Sequence, residues 1–240
     1  MDRTAFLAPM NRFAVVGSWL PALVAIVLFA SCAPGAAIAG PPFETDDPEP
    51  VDCHHVEVDI AQARQSEPVA TGPVWEVDYG PTKNVELSVG GQPHEFEVGS
   101  AIRFIPESKY RPQVGILPAV SIHDGGGAET FLPIWAQKTI GEWTIFGGGG
   151  VSHGSEFTGL SAARNFRSGS SLGVEFYHES QHNPIVPAPA RIGLGYVGQV
   201  GPSSAIMLWI GRALEPRGTN LLYVGFQTII SPAKRSSNCG

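Results

Sequence analysis

A literal HExxH pattern lies in the segment EFYHESQHNP, where it comprises His178, Glu179 and His182. On a helix this spacing places two imidazole zinc ligands on one face with a general base between them, as in a zinc protease. The residues before the pattern alternate with period two, which predicts a strand. Asn183-Pro184 follows, and the residue before a proline disfavours helical backbone. We therefore interpret HESQH as the polar tip of an extracellular loop between two strands, with an envelope zinc hydrolase as the alternative.

Two His-x-Ser pairs suggest a second hydrolytic chemistry. His178 stands two residues before Ser180, and His153 stands two residues before Ser155. A histidine can activate a serine hydroxyl when a carboxylate assists, as in barrel lipid-A deacylases, and neighbouring glutamates could supply that carboxylate. Adjacent residues of a strand point to opposite faces, however, so these groups are not expected to meet. We predict no catalytic residue and keep the deacylase-like activity as an alternative.

Cys53-His54-His55 combines ligand types that suit copper or zinc. Two adjacent histidines on a strand diverge, and a fourth ligand is not evident. We predict no metal and no cofactor, and the alternative is a soluble periplasmic β-sandwich that binds a ligand or metal through these three residues. Cys53 and Cys239 could instead form one disulfide in an oxidising compartment.

The first 39 residues have the pattern of a secretory signal peptide. Arg3 and Arg12 precede the uncharged apolar run 13–30, and residues 37–39 form an A-x-A site. We expect cleavage near Ala39, with an uncleaved membrane anchor or lipoprotein processing at Cys32 as alternatives.

Charge excludes one class of partner. The chain has 240 residues and a net charge of −7, and removing residues 1–39 takes away one acid and two bases, which leaves −8. An acidic exported chain without a basic patch is not expected to bind nucleic acid.

Beyond residue 53 the sequence repeatedly alternates apolar and polar side chains, which predicts strands with two unlike faces. VWEVDY, for example, sets three apolar residues against Glu76 and Asp78. Twelve strands are predicted, near 55–60, 74–79, 84–90, 95–104, 112–122, 130–140, 142–151, 156–166, 171–179, 190–198, 204–213 and 219–230.

Two all-β architectures fit this alternation, a soluble β-sandwich and an outer-membrane barrel. Many segments approach the ~9–11 residues of a membrane strand. Tyr79, Tyr110, Trp143 and Tyr177 stand near segment ends, where an interfacial aromatic girdle is expected. We predict an all-β fold, an antiparallel up-and-down transmembrane barrel of about twelve strands, with the soluble β-sandwich as the alternative.

Three long segments carry a family resemblance: PPFETDDPEPVD at 41–52, RPQVGILPAVSI at 111–122 and FLPIWAQKTIGEWTIFGGGG at 131–150. They look like a family of predicted bacterial outer-membrane transporters related to the phenol meta-pathway degradation (MetA) proteins. VDYGPTKNVELSV, EFYHES and GRAL fall in matching order, so the resemblance spans most of the chain from Gly40 to about Gln227. It implies a barrel in the outer membrane of a Gram-negative bacterium that transports small solutes, hydrophobic or aromatic ones included. The implied partners are outer-membrane lipid, the barrel-assembly machinery and a small-molecule solute.

The polar face of such a barrel would line its lumen, and an excess of acid there would favour cations or neutral solutes over anions. On the alternation, the lumen-lining candidates are Glu57, Asp59, Glu76, Asp78, Glu86, Glu95, Glu97, Arg103, Glu175 and Arg191.

The predicted organisation is a signal peptide at 1–39, a Pro- and acid-rich stub at 40–53, a barrel at 54–230 and a polar tail at 231–240. The stub shows no periodicity and is expected to be extended or disordered. Because it stands beside the first strand, we also expect that it could enter the lumen as a partial plug.

Overall fold

The computed structural model describes residues 43, 45, 47–65, 72–152, 155–180, 190–214, 220–232 and 239. Within these ranges, no helix is long and apolar enough to cross a membrane. All strands belong to one antiparallel sheet. They are β1 (Val56–Gln65), β2 (Pro73–Thr82), β3 (Val85–Gln92), β4 (Glu95–Ile105), β5 (Gln113–Ile116), β6 (Ala119–His123), β7 (Ala128–Ile140), β8 (Trp143–Ser152), β9 (Ser155–Asn165), β10 (Ser171–Glu179), β11 (Ala190–Gly201), β12 (Ser204–Ala213) and β13 (Asn220–Ile230).

The sheet closes on itself because the first strand pairs with the last. Val56 of β1 lies opposite Tyr79 of β2 on one side and opposite Ile230 of β13 on the other. Strands β5 and β6 both fit between β4 and β7, so together they form a single barrel strand. The twelve-strand antiparallel barrel predicted from the sequence is therefore confirmed, and the β-sandwich alternative is wrong.

The strand predicted over 112–122 is interrupted at Leu117-Pro118. Proline has no N–H to donate to a neighbouring strand, so it breaks the ladder. The proline carbonyl still accepts a bond of 3.0 Å from the backbone N–H of Ser100 on β4. The interruption thus divides the barrel strand into β5 and β6 without opening the wall.

Burial alternates along the strands and separates an inner face from an outer face. In β10, Gly173, Glu175 and Tyr177 are buried, whereas the intervening Leu172 and Val174 are exposed. Large apolar residues are about half exposed all around the outer face, among them Ile60, Leu87, Val98, Ile134, Leu160, Val174 and Ile210. A belt of this extent matches the lipid-facing surface of a membrane barrel.

The aromatic girdle expected from the sequence is correct in part. Tyr79, Tyr110 and Trp143 are exposed. Tyr177 is instead buried on the inner face, where its ring stacks on Phe157 with 6.0 Å between centroids. It shares the parity of Glu175 along β10, which turns both side chains away from lipid.

A disulfide joins Cys53 to Cys239, with their Cα atoms 6.2 Å apart. It links the residues before β1 to the tail after β13. The two chain ends of the barrel are thereby connected covalently as well as by the β1–β13 ladder.

Candidate functional site

The inner face of strands β1 to β4 carries a dense set of acids, named here the acidic wall. All of its members share the inward parity of their strands and are only partly exposed or buried. The acidic wall consists of Glu57, Asp59, Glu76, Asp78, Glu86, Glu95 and Glu97. The remaining sequence-predicted lumen residues, Arg103, Glu175 and Arg191, lie on the inner face of β4, β10 and β11.

Strand register brings part of the acidic wall into close contact. Glu57 lies opposite Asp78, and Asp59 lies opposite Glu76 across the β1–β2 ladder. Ligand oxygens of Glu57, Asp59 and Asp78 all lie within 4.8 Å of one another, and we name this group the three-carboxylate cluster. Carboxylates this close to one another repel each other when they are ionised.

Members of the acidic wall also accept hydrogen bonds from their neighbours. Gln227 Nε2 donates to Glu57 Oε1 at 2.7 Å, and Ser121 Oγ donates to Glu97 Oε2 at 2.6 Å. At the start of β4, His123 Nδ1 lies 3.9 Å from Glu95 Oε2, and His123 Nε2 lies 2.9 Å from Glu129 Oε2. The wall is thus a hydrogen-bonded surface as well as a charged one.

The part of the inner face contributed by β7 to β13 carries aromatic and apolar clusters among buried polar residues. Trp135, Phe157 and Tyr177 form one buried cluster, with Trp135 and Phe157 at a centroid distance of 5.9 Å. Val197, Ala205 and Met207 form a second cluster against which Tyr223 packs. The guanidinium of Arg191 lies 5.9 Å from the ring centroid of Tyr177, within cation–π range. The interior is therefore asymmetric, because acids are concentrated on β1 to β4 whereas the aromatic clusters lie on β7 to β13.

The N-terminal segment, meaning residues 43, 45 and 47–53, runs against this interior. Thr45 is fully buried, and its backbone N–H donates to the carboxylate of Glu175 on β10. The backbone N–H of Val51 donates to Glu86 Oε2 at 2.7 Å. The segment is thus held by carboxylates of two separate strands, β3 and β10.

Arg103 adds a third attachment. Its guanidinium lies 3.5 Å from the carboxylate of Glu49 in the N-terminal segment. The same guanidinium donates to Asn84 Oδ1 and Gln113 Oε1, each at 3.3 Å, and to the carbonyl of Lys83. Because the barrel fixes the arginine so fully, the charge presented to Glu49 is well positioned.

Glycines of the wall make room for the N-terminal segment. A methyl group added at Gly195 would overlap the ring of Phe43, and one at Gly159 would overlap the Thr45 side chain. At Gly115 the added carbon would lie 3.1 Å from Cβ of Pro48. Side chains at these positions would displace the segment, so the wall and the segment are matched in shape.

The residues of the two hydrolase alternatives lie only partly within the described part of the chain. His178 and Glu179 belong to strand β10 rather than to a helix, and His182 and His153 lie outside the described residues. The Ser180 hydroxyl accepts from the backbone N–H of Glu156 at 2.9 Å and lies 3.0 Å from that residue's carbonyl. This serine ties the start of β9 to the end of β10.

The Cys53-His54-His55 group also differs from a metal site. Cys53 is bonded to Cys239 and has no free thiolate. His55 Nδ1 lies 3.0 Å from the carbonyl oxygen of Cys53, and His54 Nδ1 lies 3.4 Å from Tyr79 Oη. The backbone of His54 and His55 bonds to Gly80, which attaches the end of the N-terminal segment to β2.

The interior also carries uncharged polar residues that the search for charged side chains did not include. Four glutamines are buried on the inner face, namely Gln113, Gln137, Gln199 and Gln227. The alternation that selected the acids also selects these positions, since Gln227 shares the parity of Tyr223 and Gly225 along β13. Extending the prediction from charged to all polar residues would have found them.

Comparisons with solved structures identify proteins that share this fold. No protein-family model matches the sequence, and no curated protein matches it. The NanC porin superposes with a TM-score of 0.57 at 7% identity, over 71% of this chain and 98% of that one. The KdgM porin superposes with a TM-score of 0.53 at 9% identity, over 72% and 98%, and its complex with disordered oligogalacturonate gives 0.54. The chain therefore has the fold of these porin barrels.

Proposed function

We propose that this protein is an outer-membrane channel through which small solutes cross along the interior of the barrel. The observation that carries the proposal is a closed twelve-strand wall with an apolar belt outside and a polar, acid-rich face inside. Lipid contacts the belt, and the short and long turns of such barrels face the periplasm and the exterior respectively. Insertion by the barrel-assembly machinery belongs to the same proposal.

The acidic wall favours cations and neutral solutes over anions. The acidic wall has seven acids, among them Asp78, Glu86 and Glu97. Arg103 lies on the inner face of the same strands and carries a positive charge. Rings or rows of carboxylates attract cations and repel anions in a pore. A polyanion such as the oligogalacturonate of the KdgM complex would be disfavoured by this wall.

Aromatic surface supports a role for hydrophobic or aromatic solutes. Trp135, Phe157 and Tyr177 form a buried aromatic cluster on the inner face of β7, β9 and β10, which a solute could reach once the N-terminal segment moves. Such surfaces bind apolar and aromatic molecules by stacking and area burial. The resemblance to the phenol meta-pathway degradation family points to the same solute class.

The N-terminal segment is proposed as a plug within this path. Its contacts with Glu175, Glu86 and Arg103 hold it against the inner wall. A hydrogen bond to a charged group contributes about 1.5–3 kcal/mol, so a solute that offers competing bonds could displace the segment. Solute passage would then require the segment to move.

Liposome swelling with matched sugars tests the function. We expect the purified mature protein to admit glucosamine and glucose faster than glucuronate, which differs from them mainly in its negative charge. Liposomes without protein, and liposomes with heat-denatured protein, are the controls. Swelling no faster than in the controls would contradict the channel, and fastest entry of glucuronate would contradict the proposed selectivity.

A further inference from the structure

We propose that the three-carboxylate cluster is a binding site for a hard divalent cation, Ca²⁺, held by Glu57, Asp59 and Asp78 together with the side-chain carbonyl of Gln227. The inference does not depend on solute transport, because it concerns a resident ion in the wall of the barrel. It also differs from the Cys53-His54-His55 group, whose ligand types suit soft metals.

The strand register builds the cluster on a rigid frame. Glu57 and Asp78 face each other across the β1–β2 ladder, and Asp59 is the next inward residue along β1. Asp59 in turn lies opposite Gln227 across the β1–β13 ladder. Three neighbouring strands thus direct four oxygen-bearing side chains to one place, which is a more exact arrangement than loops provide.

Two deeply buried oxygens give independent support. Asp78 is 5% exposed, and within the described part of the chain its Oδ1 has no hydrogen-bond partner. Gln227 is 2% exposed; its Nε2 donates to Glu57, while its Oε1 is buried without a described donor. Buried acceptors are normally satisfied, so oxygens left in this state beside other carboxylates indicate a ligand-binding role.

Charge in this region also calls for a cation. Across the described residues, no lysine or arginine forms an ion pair with Glu57 or Asp78. Glu76 and Glu86 act on both of these carboxylates and add further negative charge. Burying unpaired carboxylates is costly, whereas one divalent ion would offset two of the charges.

The ligand types select calcium among common cations. All four proposed ligands are oxygens, with neither imidazole nor thiolate, which suits Ca²⁺ or Mg²⁺ rather than Zn²⁺. Carboxylates and a side-chain amide carbonyl are usual Ca²⁺ ligands, and Ca²⁺ accepts irregular geometry. Mg²⁺ demands a near-ideal octahedron and retains several waters, which a cluster packed between strands accommodates less well.

Calorimetric titration of the folded, chelator-treated mature protein with CaCl₂ in detergent tests the site. We expect one Ca²⁺ per chain and a higher unfolding temperature when it is bound, since an ion that binds only the folded state stabilises it. Asp78→Asn should weaken binding by roughly tenfold or more, because it removes a charged ligand. Glu97→Gln is the matched control: this acid lies on the same wall but bonds to Ser121, and its loss should leave affinity unchanged.

Three results would overturn the proposal. They are the absence of stoichiometric Ca²⁺ binding, an unchanged Ca²⁺ affinity in Asp78→Asn, and an equal loss of Ca²⁺ affinity in Glu97→Gln. A compact band on unboiled gels checks that each variant folds. If Asp78→Asn does not fold, Gln227→Glu replaces it: a charged ligand there should tighten binding, and unchanged affinity would refute the site.

Discussion

Single glycines on the barrel wall determine how closely the N-terminal segment can approach. Gly195 lies against the ring of Phe43, and any side chain there would occupy the same space. We predict that Gly195→Ala displaces the segment and raises the unitary conductance of the channel in planar bilayers. The physical reason is steric, because a methyl group and the phenyl ring cannot both fit.

The partner substitution supplies the control for this change. Phe43→Ala removes the ring, so the double variant Gly195→Ala/Phe43→Ala should conduct little more than Phe43→Ala alone. Gly193→Ala, two residues away on the same strand, meets Trp209 of the wall rather than the segment. A conductance rise of equal size in Gly193→Ala would show that the effect does not come from the N-terminal segment.

Inward or outward placement was predictable for most charged residues from strand parity alone. Glu175 was selected as inward from the sequence, and it lies on the inner face. Tyr177 has the same parity and is also buried, although its position near a segment end predicts a place in the aromatic girdle. On a strand the period of two is geometric, whereas end position is only a statistical preference.

The Cys53–Cys239 disulfide connects the segment before the first strand to the tail after the last strand. The sequence separation of the two cysteines is 186 residues, so the bond closes a very long loop in the unfolded chain. The chain-entropy model assigns such a loop up to about 5 kcal/mol of stabilisation. We predict that a reducing agent lowers the urea concentration at which the barrel unfolds in lipid vesicles, as measured by the gel mobility of unboiled protein.

A variant without the bond checks this prediction. Cys53→Ser/Cys239→Ser should unfold at the lower urea concentration with or without reductant. An unchanged midpoint in the reduced wild-type protein would mean that the cross-link contributes nothing to stability.

Strands were predictable as elements, but the path of the N-terminal segment was only a hypothesis. Alternation marks each strand locally, and proline explains the one interruption at Pro118. The segment has no period, and its contact between Thr45 and Glu175 joins residues 130 positions apart. Contacts this remote depend on closure of the whole sheet, which no local pattern encodes.

The molecule as a whole has an asymmetric interior, and this predicts ion selectivity. The acidic wall should make the channel cation-selective, measured as the reversal potential across a KCl gradient. Selectivity should fall in concentrated salt, since the screening length shrinks from about 10 Å at 0.1 M to about 3 Å at 1 M. Replacing Glu76, Glu86 and Glu97 by glutamine should reduce it strongly.

Glu156→Gln is the matched control for that substitution, because Glu156 is an exposed acid of β9 with outward parity. It should leave the reversal potential unchanged. Anion selectivity in the wild-type protein would contradict the assignment of the acidic wall to the solute path.

Unitary conductance with and without the N-terminal segment tests the central claim most directly. The mature protein and a variant lacking residues 41–50 would be reconstituted in planar bilayers under identical salt conditions. We predict that both proteins insert and that the variant conducts more, because the contacts to Glu175 and Arg103 are lost. Equal conductance would contradict the plug, and the absence of channels in both proteins would contradict the proposed function.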